Sequence, residues 1–397
     1  MKRFVAALIL LGFGHTSKAQ FVNDGAVLSV SQSGLLHIGT DYIHQDGQIE
    51  NAGTIQIDHN WMNYAAKGVF KGQQKGMVQF SGQDQLIGGS MPTSFGRLWF
   101  TGDGVKTLAV NAESTEELNL LQSELATGAH VFFLSASLPQ NLLRLSGGIT
   151  SSAGGGFKRN TSLSQPYVFP LAYRAGKSLA YRPLIVTPEL VNDNTFQASL
   201  ITETAGFLSS SIQKQPEVQK LNERYYYTFK RPNGTSNAKL DVLYNKNIEG
   251  NFSTLLRLNS SKQLQSLGPV KQAEGNFSDL LNEKLAIESI SDFSSEGIVM
   301  AQTAQNSVDP ELTIPTVVTA NNDGKNDSWI IPELASYPKN QVVIFNRWGS
   351  EVYRQSAYSA HNAWTAQNVE AGTYFYTITL DEGSKPQVKK GFITVIK

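Results

Sequence analysis

The chain of 397 residues contains no cysteine. Without thiols it forms no disulfide, no thiolate metal site and no cysteine nucleophile, and a lipid anchor attached to cysteine is excluded as well. Its stability must therefore come from packing and hydrogen bonding alone.

Long hydrophobic runs are also scarce, and the only notable one lies near the start of the sequence. The apolar run Phe4–Phe13 follows two basic residues, and the small residues Ser17 and Ala19 precede a cleavage point before Gln20. This pattern predicts a signal peptide over residues 1–19. A membrane-spanning helix needs roughly 20 apolar residues, so we expect no transmembrane segment in the mature chain.

The sequence has no excess of positive charge. It holds 33 basic and 33 acidic residues, and removal of Lys2, Arg3 and Lys18 with the signal peptide leaves a net charge of about −3. A nucleic-acid partner or an anionic lipid surface would call for a basic patch. We therefore expect neither.

Signatures of catalysis are few. His37, His44 and His59 are spaced by seven and fifteen residues, which matches no zinc motif. No GxSxG elbow occurs, and Arg174–Ser178 lacks the first glycine of a phosphate-binding loop. Glycoside cleavage needs only two carboxylates at the right separation, which a pair such as Glu116–Glu117 could supply, but nothing else in the sequence points to that chemistry. We expect no enzyme activity and no cofactor, although the two N-terminal regions leave that question open.

Glycine and strand-forming residues are abundant instead. Residues 20–150 run in short alternating apolar stretches separated by glycine or asparagine, and the segment from Gly47 to Asn51 is echoed from Gly53 to Asn60. Such an echo predicts stacked coils with isoleucine pointing inward and asparagine bonded at turns. We predict an all-β protein that begins with a β-solenoid-like region, with an ordinary β-meander as the alternative.

The glycine-rich tract 147–156 is the most flexible-looking stretch and predicts a domain boundary. Short strands follow at the spacing typical of a β-sandwich, which we place at residues 157–301. The polar stretch 302–311 contains Asp309-Pro310 near its end and is predicted to be a linker.

A polar loop opens the last region of the chain. Asn321, Asp323 and Asp327 supply oxygen atoms around Gly324, as in part of a calcium-binding loop, but no glutamate closes the loop at the twelfth position. The same side chains suit a loop in which they bond their own backbone. The sequence leaves both interpretations open.

Alternating apolar segments with glycine at the turns fill the rest of residues 312–397. About seven strands in this length predict a small Ig-like sandwich. The segments include FNRWGSEVY (Phe345–Tyr353), Trp364, GTYFY (Gly372–Tyr376) and KGFITVIK (Lys390–Lys397).

These blocks resemble the gliding motility-associated C-terminal domain, the type B sorting domain of the type IX secretion system of Bacteroidota. The family pattern runs TPNGDGxND, FNRWGxxVY, WDG, GxYYY and a terminal KGxITLIR-like strand. Here Ala320 replaces the proline, Asn322 replaces a glycine, and Thr365-Ala366 replaces the Asp-Gly pair, which affects the loops more than the fold. The resemblance covers about a fifth of the chain and implies sorting or recognition roles for Arg347, Trp348, Gly349, Trp364, Gly372, Tyr374, Lys390 and Gly391.

The resemblance implies export across both membranes, with the secretion machinery as partner and a secreted or surface location. A terminal strand could meet a receptor by β-addition. For the rest of the chain we expect a non-enzymatic, adhesin-like or structural display role, with a surface glycan or protein as a further partner. One alternative is a surface protein that binds or degrades carbohydrate, and another is a component of the gliding or secretion apparatus.

Overall fold

A computed structural model of the chain describes residues 20–72, 75–202, 218–259, 261, 263–294, 297–303, 312–321, 323–337, 339–380 and 387–397. The predicted signal peptide, residues 1–19, lies outside the described residues. Strands make up 57% of the structure and helices 4%, which confirms the all-β prediction. The chain divides into two compact units between residues 304 and 305.

The first unit begins as a parallel β-solenoid, which decides between the solenoid and the meander. Strands 1, 3, 5, 7, 9, 11 and 14 of the chain form one seven-stranded parallel sheet. Strands 2, 4, 6, 8, 10, 12 and 15 stack in a second sheet. Each turn adds one strand to each sheet. The elements are β1 (Gln20–Val30), β2 (Leu35–Ile38), β3 (Asp41–Asn51), β4 (Thr54–Ile57), β5 (Trp61–Asn63), β6 (Met77–Phe80), β7 (Gln85–Gly89), β8 (Thr93–Phe100), β9 (Val105–Leu108), β10 (Ala112–Asn119), β11 (Glu124–Ala126), β12 (Val131–Leu134), a 3-10 turn (Pro139–Asn141), β13 (Leu142–Leu143), β14 (Gly148–Thr150) and β15 (Gly156–Thr161).

Side chains of successive turns stack inside the solenoid. Tyr42 lies beside Trp61 in register, and their ring centroids are 4.5 Å apart. Ile49 and Ile55, the isoleucines of the sequence echo, are both buried. The Asn51 side chain donates to the carbonyl of Met77 and accepts from the N–H of Gly53, as expected of an asparagine at a turn. Burial of an apolar stack and satisfied corner amides together hold the coils in register.

The glycine-rich tract is part of the solenoid rather than a flexible break. A Cβ at Gly155 would lie 2.0 Å from the carbonyl oxygen of Gly128, and one at Gly147 would lie 2.4 Å from that of Ser123. Glycine is present because neighbouring turns approach closely. The tract contains β14 and leads into β15, which pairs with β12 on one side. The expected flexible boundary is therefore wrong at this point.

A β-sandwich completes the first unit. Beyond β15 the second solenoid sheet continues in the order β20-β22-β28-β24-β25, now antiparallel, and a five-stranded sheet β16-β19-β23-β27-β26 covers it. Phe169 of the covering sheet contacts Phe157 and Phe229 of the other, with ring centroids 5.6 and 6.5 Å apart. The elements are β16 (Tyr167–Phe169), β17 (Ala172–Ala175), β18 (Ser178–Tyr181), β19 (Leu184–Pro188), β20 (Asn194–Ile201), β21 (Val218–Leu221), β22 (Tyr226–Asn233), β23 (Ala238–Tyr244), α1 (Lys246–Glu249), β24 (Thr254–Leu258), β25 (Leu264–Ser266), β26 (Val270–Ser278), β27 (Leu281–Ile290) and β28 (Gly297–Thr303).

Strand β28 includes the first two residues of the predicted linker, and residues 304–311 lie outside the described residues. The second unit has the elements β29 (Val317–Thr319), a 3-10 helix (Pro332–Ser336), β30 (Gln341–Phe345), β31 (Glu351–Ser356), a 3-10 helix (Ala360–Asn362), β32 (Gly372–Leu380) and β33 (Gln387–Ile396).

The described part of the second unit contains five strands in one sheet, in the order β29-β33-β32-β30-β31, rather than the predicted seven in an Ig-like sandwich. The segment Trp329–Ile331 is not a strand, because Pro332 follows and opens a 3-10 helix. Irregular segments carrying Trp329, Leu334, Tyr358 and Trp364 cover one face of the sheet. The other face carries no second sheet in the described residues.

Candidate functional site in the C-terminal unit

The predicted calcium ligands bond to their own loop. Asp323 Oδ1 accepts from the N–H of Lys325 at 2.8 Å, and Asp327 Oδ2 accepts from that of Gly324 at 2.7 Å. Asn321 Nδ2 donates to Asp323 Oδ2 at 3.1 Å. In the part of the chain that is described, no three His, Asp or Glu side chains group as a metal site. This geometry favours a self-satisfied loop, and calcium binding stays a prediction.

The turn between β30 and β31 displays an arginine and a tryptophan. Asn346 Oδ1 accepts from the backbone N–H groups of Trp348 and Ser350, both at 3.0 Å, and Gly349 adopts φ +80°. These bonds fix a tight turn. Trp348 is 79% exposed, and the Arg347 guanidinium carbon lies 5.1 Å from its ring centroid. A cation–π pair at an exposed site stabilises a fold by only about 0.5–1 kcal/mol.

A groove of about 570 Å³ joins this turn to the start of β32. Four of the predicted recognition residues line it: Arg347, Trp348, Gly372 and Tyr374. The Tyr374 hydroxyl donates to the backbone carbonyl of Glu370 at 2.8 Å, which fixes one wall. The NRWG and GTYFY motifs therefore meet in space, although Trp348 and Gly372 are 24 positions apart in the sequence and only the fold brings them together.

The uncovered face of the sheet carries a row of phenylalanines. Phe375 on β32 pairs with Phe392 on β33 and with Phe345 on β30. Phe375 is 48% exposed and Phe392 is 53% exposed. The exposed Val317, Val388 and Ile396 stand on the same face by strand alternation. Exposed apolar side chains grouped on one face of a sheet in this way are typical of an interaction surface.

The comparisons identify the unit that carries these features. Residues 312–395 match the CHU_C type IX secretion signal domain. The match confirms the sorting-domain resemblance drawn from the sequence, and it implies export by the type IX system, interaction with the secretion machinery, and a secreted or cell-surface location. No curated protein and no solved structure matches the chain. Among the described residues, no helix has the length and hydropathy that a membrane span requires.

Two of the predicted recognition residues serve the core of the signal domain. Trp364 is only 5% exposed and packs edge-on against Tyr374, with ring centroids 5.6 Å apart. Its backbone N–H donates to the Tyr358 hydroxyl at 2.9 Å. Gly391 lies against the ring of Tyr376. Packing therefore explains why Trp364 and Gly391 occupy these positions in the motifs. Lys390, by contrast, is exposed beside the phenylalanine row.

The last strand of the signal domain is an edge strand over only part of its length. Strand β33 lies between β32 and β29, but β29 pairs only with residues Thr394–Ile396. In the described part of the domain, no strand pairs with residues Gln387–Ile393 on that side. The proposed β-addition is thus confined to the first two thirds of β33, next to Phe392.

Sequence reasoning missed the phenylalanine row. The alternation within GTYFYTITL carries the signal, since Tyr374 and Tyr376 are buried and Phe375 between them must face outward. Its neighbours Phe345 and Phe392 come from strands whose register the sequence does not fix.

Proposed function

We propose that this protein is a non-enzymatic, exported protein that displays residues 20–303 at the cell surface or in the medium, and that its signal domain is read through the NRWG turn and the phenylalanine row. The observation that carries the proposal is the exposure of Trp348, Phe375 and Phe392 within the matched domain. Large apolar side chains left in water favour binding to a partner.

A transfer test examines the sorting role. Residues 1–19 and 312–397 are fused around a fluorescent reporter and expressed in a host with a type IX system, beside a mutant that lacks the secretion channel. We expect the reporter at the surface or in the medium only where the channel is present. Periplasmic retention in both strains would show that the signal domain is not sufficient for export.

The adhesin-like or structural role of the first unit is supported by its construction. One apolar core runs without interruption from Tyr42 and Trp61 in the solenoid to Phe169 and Phe229 in the sandwich. A unit built in this way is stiff and suits display of a surface at a distance. Deletion of residues 20–303 from the exported chain should abolish attachment to a surface or partner cell and leave export intact.

Carbohydrate binding is a second candidate, favoured by one groove on the outer face of the second solenoid sheet. Phe133 lies there between Glu113 and Lys158, with the Lys158 ammonium 3.8 Å from the ring centroid. On its other side Asn160 and Asp193 line a polar depression. Aromatic rings flanked by amides and carboxylates are suited to sugars. Retention of the chain on polysaccharide columns, lost in Phe133→Ala, is the expected result if this function holds.

A third candidate is a component of the gliding or secretion apparatus. The matched signal domain also implies contact with that machinery. Purification of the machinery from intact cells distinguishes the two roles. A component copurifies in fixed stoichiometry, whereas exported cargo is found mostly free of the machinery at steady state.

A further inference from the structure

In the part of the chain that is described, the first turn of the solenoid leaves two strand edges unpaired. In the described residues β1 is the terminal strand of the seven-stranded sheet, and β2 is the terminal strand of the other sheet. Each has a neighbouring strand on one side only. Strand edges carry backbone N–H and C=O groups that pair readily with another strand.

The apolar interior is open at the same end. The inward residues Phe21, Leu28 and Leu36 are only partly buried. The residues on which they stack in the next turn are at most 1% exposed: Tyr42, Ile49 and Ile55. Val30 and Ile38, also in the first turn, are buried, so the opening is confined to one part of the cross-section.

The opposite end of the solenoid is closed. Strand β15 pairs with the antiparallel strand β20, and Ile149 of β14 forms a β-bridge with Leu171. Phe157 of β15 packs against Phe169 of the covering sheet. Because the described residues leave the solenoid open at one end alone, association through that end gives a closed pair rather than a fibre.

We propose that the chain from Gln20 onward forms a head-to-head dimer through its first solenoid turn. The occupant of the open end must present two strands at the solenoid's own spacing, with apolar side chains between them. The first turn of a second copy meets this requirement, because it presents the same two strands with the same apolar side chains between them. A two-fold axis along the sheet normal places β1 antiparallel to its copy and β2 antiparallel to its copy, so both sheets continue across the axis.

The charges at the open end permit this pairing. Asp24 is the sole charged residue of β1, and β2 carries none besides His37, whose Nε2 lies 2.6 Å from Asp58 Oδ2. Repulsion between two identical ends is therefore small. The dimer does not depend on the route of export, so its test is independent of the proposed function.

Sedimentation of the chain Gln20–Lys397 over a range of concentrations tests the dimer. Leu36→Lys places a charge on the open end, and Leu35→Lys is the matched control, because Leu35 is the adjacent residue on β2 and faces outward. We expect the native chain and Leu35→Lys to sediment as dimers and Leu36→Lys as a folded monomer, with the same circular dichroism spectrum as the native chain and a lower melting temperature because the dimer no longer stabilises it. A native chain that stays monomeric, or Leu36→Lys that stays dimeric, overturns the proposal.

Spin labels on two exposed serines test the arrangement by distance. The chain has no cysteine, so Ser29→Cys on β1 and Ser266→Cys on β25 each give one label per chain. A head-to-head dimer gives a short distance between the two labels at residue 29 and a long one at residue 266. The reverse pattern of distances overturns the proposal. It is also overturned if the chain Gln20–Lys397 is a monomer that binds a peptide of residues 1–19, since that segment would then cover the open end.

Discussion

Gly391 lies against the phenol ring of Tyr376 on the neighbouring strand. A Cβ at residue 391 would be 2.3 Å from the Tyr376 hydroxyl oxygen and 2.5 Å from the ring carbon that bears it. Tyr376 is buried and packs against Trp329, with centroids 5.0 Å apart, so the ring cannot swing away without disturbing the core. The glycine of the terminal motif is thus explained by a cross-strand contact.

Gly391→Ala should destabilise the signal domain by about 1–3 kcal/mol, the usual cost of forcing extra volume into a packed site. Urea unfolding of the full chain, followed by tryptophan fluorescence, measures the change. Gly39→Ala is the control, because a Cβ at Gly39 meets nothing within 4 Å. Equal stability of the two variants would contradict the steric role of Gly391.

The two tryptophans of the signal-domain motifs should separate folding from recognition. Trp364→Ala removes a buried ring and should cost about 3–5 kcal/mol of stability. Trp348→Ala removes an exposed ring, so the melting temperature should hardly change while type IX-dependent export falls. Melting curves and surface exposure of the same fusion are measured together. Normal export of folded Trp348→Ala would remove this residue from the recognition surface.

Replacing Phe375 with threonine, a residue that also suits a strand, should lower export without unfolding the signal domain. The side chain stands on the uncovered face, where it lies between Phe345 and Phe392. Thr379→Ser is the control on the same strand and face. If both variants are exported as well as the native fusion, the phenylalanine row does not bind the machinery.

The buried pair of Arg182 and Glu249 should be essential to the sandwich. Arg182 donates to Glu249 Oε1 through two nitrogens, at 2.6 and 2.9 Å, and the Tyr173 hydroxyl donates to the same oxygen at 3.2 Å. Arg182→Leu leaves a buried carboxylate without its cation and should cost roughly 3–5 kcal/mol. Thermal unfolding measures the loss. The exposed pair of Lys71 and Glu50 is the control, and Lys71→Ala should leave the melting temperature nearly unchanged.

Acid should weaken the solenoid through His44. Burial lowers the pKa of His44 below its ordinary value of 6.5. Between the two pKa values the unfolded chain binds the proton more readily, so the free energy of unfolding is highest above pH 6.5 and decreases as the pH falls toward the folded-state pKa. Stability is measured by urea titration from pH 7.5 to pH 5.

His44→Asn should flatten this pH dependence, because asparagine already occupies the stacked positions Asn23 and Asn63 on either side. His59→Asn is the control, since His59 is exposed in the same solenoid. A pH profile that is unchanged in His44→Asn would show that another group controls the acid response.

The local features of this protein follow from its sequence. Strand-forming residues and glycine turns predict the all-β class, the echo around Ile49 and Ile55 predicts inward isoleucines, and the motif order predicts the sorting domain. Each of these depends on residues close together in the chain, where alternation and turn chemistry act directly.

Which segments meet depends on the tertiary structure. The sequence around Gly155 is typical of a flexible segment, but the structure requires glycine there because Gly128 of the preceding turn approaches closely. The phenylalanine row exists because three strands pair in one register. Glycine is needed at residue 391 because the ring of Tyr376 lies against it. Such relations depend on pairing between distant segments, and a shift of one residue would turn every side chain to the other face. Register is fixed by the whole core at once, not by any one strand.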